Sequence, residues 1–127
     1  MANIDIFGVD SKLGLDFCDG DMDLYIGVLR SYVADMNDII EKIQNVSIET
    51  LPAYSVNVHS VKSISQVIGA EEARKTAKHL EELAKSSNLD AILAKNDIFV
   101  KYIGKIVSSV DAWLGKNDAS GAAKEAE

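Results

Sequence analysis

Between Met22 and Val46, apolar residues fall at Tyr25, Val28, Leu29, Tyr32, Val33, Met36, Ile39, Ile40 and Ile43. Steps of three and four place all of them on one side of a 3.6-residue repeat, so the segment predicts a long amphipathic α-helix. Such a helix must bury its stripe against other elements, and this narrows the available folds more than any other feature. Asp21, which follows the turn-forming Asp19-Gly20, is placed to cap its N-terminus.

The rest of the chain repeats that pattern. Asp10 can cap a short helix reaching about Cys18, and residues 47–53 (SIETLPA) read as a connection in which Pro52 suits a first helical turn. From Tyr54 to Ile68 the periodicity has two readings. Tyr54, Val56 and Val58 alternate like a strand, whereas Val58, Val61, Ser65 and Ile68 keep helical spacing. Helical neighbours on both sides favour the helix, with Gly69 suited to its C-terminal stop. A further helix is expected from Ala70 to about Lys85, with Ala73, Ala77, Leu80 and Leu83/Ala84 inward. Another is expected from about Leu89 to Leu114, burying Ile92, Leu93, Phe99, Val100, Ile103, Val107, Val110 and Leu114. Residues 116–127 lack apolar periodicity and are expected to form a disordered tail.

These segments predict an all-α domain over residues 1–115, an antiparallel up-down four-helix bundle with a short N-terminal lid helix. Composition agrees. One proline in 127 residues leaves helices unbroken, and 6% aromatics against 47% hydrophobic residues favours aliphatic helix packing. The formal net charge of −7 and the lack of any Lys/Arg cluster beyond pairs argue against a nucleic-acid partner. The start, MANIDIFGVD, lacks the basic residues and the apolar run of about 7–15 that mark a secretory signal. No stretch approaches the ~20 apolar residues of a membrane span. Cys18 is the only cysteine and has no internal disulfide partner. A cytoplasmic protein without membrane contact is expected.

The Tyr54–Ile68 helix carries the chemistry. With Val58, Val61, Ser65 and Ile68 inward, His59, Lys62, Ser63 and Gln66 share the opposite face at i, i+3, i+4 and i+7. A solvated imidazole holds a large neutral fraction near pH 7, with a lone pair that can attack phosphorus. An ammonium one turn away can neutralise phosphoryl oxygens. An exposed histidine on a helix is, by itself, most often only a solvated side chain.

Its setting adds specificity. At Val58–Ala70 (VHSVKSISQVIGA) the chain resembles the histidine-containing phosphotransfer (HPt) domains, whose motif is His-x-x-Lys-Gly followed by small residues and a Gly-Ala-like helix end. His59, Lys62, Gly69 and Ala70 stand at the family's intervals. The runs Gly20–Tyr32 (GDMDLYIGVLRSY) and Ala77–Ser86 (AKHLEELAKS) fit it as well, so the resemblance spans roughly residues 8–114. It implies a phosphocarrier of a two-component phosphorelay without ATP-dependent kinase activity. His59 would accept a phosphoryl group from a receiver-domain aspartyl phosphate and pass it to another receiver, with Lys62 neutralising charge. The implied partners are response-regulator receiver domains and a hybrid sensor histidine kinase. No cofactor of its own is implied, because the receiver brings Mg²⁺, and one acceptor histidine per bundle needs no dimer. Ser63 stands where the family most often has glycine and Gln66 where it usually has a small residue; either could contact the phosphoryl group or the receiver.

Two rivals are a phosphorylation-incompetent HPt-like bundle that only docks receivers, and the dimerisation helices of a histidine kinase. The presence of both His59 and Lys62 speaks against the first. The second usually has an acidic residue directly after the histidine and a proline soon after, whereas Ser60 follows here and no proline comes after Pro52. His79 has no lysine three residues on. Asp16, Asp19, Asp21 and Asp23 lack the glycine and terminal glutamate of a calcium loop and read as caps and solvated groups. Glu71-Glu72 and Glu81-Glu82 read as solvated helix faces. Among Ile6, Phe7, Val9 and Leu13, a lid over one bundle end is expected, with some members exposed beside His59 as a docking patch.

Overall fold

A computed structural model describes residues 4–126, with side chains through Asn117. Among the described residues there are five α-helices and no strand: α1 (Ser11–Phe17), α2 (Met22–Lys42), α3 (Leu51–Ile68), α4 (Glu71–Lys85) and α5 (Leu89–Ala126). The tail expected over 116–127 falls, from residue 118 on, outside the described side chains; α5 is assigned as helix through Ala126. Among the described residues no helix is long and apolar enough to cross a membrane.

The caps follow from residue chemistry. The Asp10 carboxylate accepts from the Leu13 backbone N–H, and Asp21 accepts from Leu24, each filling an orphan donor of a first helical turn. α2 stops at Lys42, short of the expected Val46. Ser47 and Thr50 close a turn on each other, with the Ser47 N–H donating to Thr50 Oγ1 at 2.8 Å. The Ile43 carbonyl, left over at the helix end, accepts from the Asn96 side-chain amide at 2.7 Å. α3 begins at Leu51, before the expected Tyr54, because Pro52 falls in its first turn and needs no N–H partner there.

α2 packs on α3 and α5, α4 packs on α3 and α5, and α1 lies against α3 and α2. The helical reading of α3 holds for a visible reason: Tyr54, Val58, Val61, Ser65 and Ile68 are buried, whereas Val56 is 66% exposed. A strand would have put Val56 on the face of its neighbours at 54 and 58. Leu93, expected in the core, is instead 52% exposed; Ile92, Asn96, Phe99 and Ile103 form the inward row of α5.

Two buried tyrosines tie down the ends of α3. The Tyr54 hydroxyl donates to Asn96 Oδ1 at 2.7 Å near its start, and the Tyr25 hydroxyl donates to the Ile68 carbonyl at 2.9 Å at its end. Burial pushes both phenols above their ordinary range, so they stay protonated donors. At the same end, Gly69 takes φ +88°, and its carbonyl accepts from the Asp10 N–H at 2.8 Å.

A Cβ at Gly69 would lie 2.1 Å from the Asp10 carbonyl oxygen, while one at Gly20 (φ +76°) would meet open space. Gly69→Ala is therefore expected to lose about 3–4 kcal/mol in urea unfolding, combining left-handed strain with a lost helix contact. Gly20→Ala, which carries the strain alone, is expected to lose only about 1–2 kcal/mol.

Candidate functional site

His59 lies near the middle of α3, between the two tyrosine ties, and its side chain is 55% exposed. Lys62, Ser63 and Gln66 follow on the same outward face, Ser63 and Gln66 open to solvent and Lys62 half-buried against α4. The four expected site residues thus share one face, but they are not the whole site.

Glu81 reaches His59 from α4. Its Oε2 lies 2.8 Å from His59 Nδ1, and its Oε1 accepts from Lys62 Nζ at 2.8 Å. Lys85, one turn further along α4, brings Nζ to 3.3 Å from Oε2. This corrects the expectation of a solvated Glu81-Glu82 pair: Glu82 is exposed, whereas the Glu81 side chain is only 7% exposed. The reason is its register. Ala73, Ala77 and Glu81 form one i, i+4 row on the buried face of α4, and the two alanines let α4 approach α3 closely. A charged residue on an apolar stripe was the sequence signal that could have revealed it.

The Lys62 bond is the largest influence on the Glu81 carboxyl and pulls its pKa down to about 2; burial opposes this, and the bonds from His59 and Lys85 add to it. Glu81 is therefore ionised at neutral pH and can only accept hydrogen bonds. His59 Nδ1 must then carry the proton, and in the neutral ring Nε2 carries the lone pair. A carboxylate that holds Nδ1 fixes both the tautomer and the ring orientation. The resulting group is a nucleophilic or basic nitrogen on an accessible ring, with two ammoniums within hydrogen-bond reach of the carboxylate behind it.

The other sequence candidates lie apart from this cluster. His79 is exposed in a groove of about 660 Å³ between α4 and α5, on the opposite side of α4 from Glu81. Cys18 is buried, and desolvation, with Asp21 and Asp19 nearby, raises its thiol pKa and disfavours the reactive thiolate. Among the described residues no group of three or more His, Cys, Asp and Glu is arranged to hold a metal ion. The expected docking patch is also corrected. Ile6 is a core residue, and Phe7 packs edge-on against Tyr102, with Lys105 Nζ 4.2 Å from its ring centre. α1 meets α3 at its Ile68–Gly69 end, ~14 Å along the helix from His59. The exposed apolar residues bordering the His59 face are instead Val56, one turn before it on α3, and, further along, Val67 on α3 with Leu24 on α2. Val67 and Leu24 line a groove of about 320 Å³ together with Gly27, Val28, Ser31 and Ile64.

Comparison with family models, with curated proteins and with solved structures found no match to this chain.

Because the folded Glu81 pKa is depressed, its ion pairs contribute stability that is full above the ordinary value of 4.5 and is lost as pH falls toward about 2. The melting temperature of the wild type is expected to fall more steeply across that window than that of Glu81→Gln, which has no proton to gain. Parallel melting curves would remove the ionised carboxylate from this account.

Proposed function

We propose that the chain is a histidine phosphotransfer protein, accepting a phosphoryl group on His59 from a receiver-domain aspartyl phosphate and passing it to a second receiver. The observation that carries this reading is the His59–Glu81 bond of 2.8 Å on an imidazole that is still 55% exposed. It commits Nδ1 to the protein and leaves Nε2 as the free lone pair, on a ring that a partner can reach.

The chemistry needs little else from this chain. The Nε2 lone pair forms an N–P bond while the P–O bond of the acyl phosphate breaks, and the receiver's aspartate departs with the bonding electrons. The ring keeps its Nδ1 proton and gains a positive charge, which the Glu81 carboxylate stabilises. Phosphoryl transfer depends mainly on alignment and charge neutralisation. The receiver would bring Mg²⁺ and the remaining groups, so this chain acts as a phosphocarrier with no kinase activity of its own.

In this reading the mutually packed α2, α3, α4 and α5 form an antiparallel four-helix bundle with α1 as a lid over one end. A rigid α3 then serves the reaction by holding His59 at a constant height above the bundle. The two flanks of the histidine differ. Toward α4 lie Lys62, Glu81 and Lys85; toward α2 the His59, Ser63, Val67 row leads to an apolar groove rimmed by the exposed Leu24. A receiver docking across α3 would bury apolar surface on one side and meet positive charge on the other. Ser63 adds little bulk between them, and Gln66 offers an amide to the phosphoryl group or the receiver. A monomer acting in the cytoplasm, where such relays run, fits this scheme.

Mixing the protein with a phosphorylated receiver is expected to place an acid-labile, alkali-stable label on the wild type. His59→Gln is expected to take no label while keeping its circular dichroism spectrum. Label persisting in that variant would exclude His59 as the acceptor. A wild type that binds the receiver without ever being labelled would instead support the docking-only bundle.

A further inference from the structure

Glu81 has more positive partners than one carboxylate requires. Lys62 holds Oε1, while His59 Nδ1 and Lys85 Nζ share Oε2 at 2.8 and 3.3 Å. One negative and two positive charges leave the cluster cationic, in a chain whose net charge is −7. A cationic surplus beside a nucleophilic nitrogen suits an incoming anion.

The two lysines are not equivalent. Lys62 is 26% exposed and is the main support of a carboxylate with only 7% exposure. Pulling it away would leave a buried charge without its principal counterion, which is strongly unfavourable. Lys85 is 67% exposed, makes the longer contact, and shares an oxygen that Nδ1 already serves. Its departure would leave Glu81 with two charge-assisted bonds. The lysines also approach from opposite directions. α3 and α4 are joined only by Gly69 and Ala70 and so run antiparallel. Lys62 lies one turn from His59 toward that connection, and Lys85 one turn from Glu81 away from it. The imidazole stands between the two ammoniums.

The geometry points to Lys85, rather than the motif lysine Lys62, as the cation that contacts the phosphoryl oxygens on His59, with Lys62 staying on Glu81 as a positioning residue. This assignment rests on the phosphocarrier reading above. A phosphoryl group on a side chain carries roughly −1.5 to −2 charges near pH 7 and offers three strong acceptor oxygens. Once it sits on Nε2, Lys85 has a stronger anion to meet than half of a shared carboxylate oxygen. It reaches that anion by rotating a solvent-exposed side chain. Lys62 cannot follow without stranding Glu81.

Phosphoramidate, a small phosphoryl donor, tests this without any receiver interface. Labelling of His59 is followed by ³¹P NMR, and the ring tautomer by ¹⁵N NMR. Lys85→Met is expected to slow labelling about 5- to 20-fold with an unchanged melting temperature and an intact Nδ1–H tautomer, and Lys85→Arg to restore most of the rate. Lys62→Met is expected to lower the melting temperature and mix the tautomers. Lys85→Met labelling at the wild-type rate, or slowing only together with loss of the tautomer, would overturn the assignment while leaving the carrier reading intact. A wild type that takes no label on His59 from either phosphoramidate or a phosphorylated receiver would overturn both.

Discussion

A single carboxylate, nearly buried between α3 and α4, organises the surface around His59. Glu81 is held ionised because Lys62, His59 and Lys85 converge on its two oxygens. Taken separately, each of those contacts would be a modest surface interaction. Gathered on one desolvated acceptor they become unequal: removing Lys62 exposes the cost of burying the charge, whereas the exposed Lys85 can leave while Lys62 and His59 still hold the carboxylate. The same bonds set the imidazole's tautomer, so the stability of this corner and the reactivity of the ring have one origin.

That arrangement is useful only if α3 does not move. Its start is tied through Tyr54 to Asn96, which also donates to the Ile43 carbonyl just past the end of α2; its end is tied through Tyr25 and through Gly69 to Asp10. Both ties use polar groups inside an apolar core, where a satisfied hydrogen bond specifies one packing and an unsatisfied one is expensive. Between them α3 presents alternating consequences of one periodicity: aliphatic residues inward, His59, Ser63 and Gln66 outward, and Lys62 at the seam with α4. Function and packing are two sides of one helix.

The site is also asymmetric across that helix. Charge lies on the α4 side, and small and apolar residues lie on the α2 side. Under the proposed phosphotransfer reading, a partner bringing a phosphorylated carboxylate to Nε2 would gain orientation from such a division, because neither half of its surface would suit the opposite flank.

Much of this was legible from the order of residues alone. The stripes of α2, α3 and α5, the caps at Asp10 and Asp21, the glycine stop at residue 69 and the shared outward face of His59 and Lys62 all follow from local rules of spacing and backbone geometry. Periodicity places a residue on its own helix, and for those features that is enough. It did not determine which helix would stand opposite. The burial of Glu81, the inward turn of Asn96, the outward turn of Leu93 and the seating of Ile6 in the core are decided by neighbours distant in the chain. Glu81 lies on the apolar row of α4, and only the approach of α3 supplies the cations that make a charge tolerable there. His59 and Lys62 could be picked out from sequence; the carboxylate that bonds both became visible only when two helices packed.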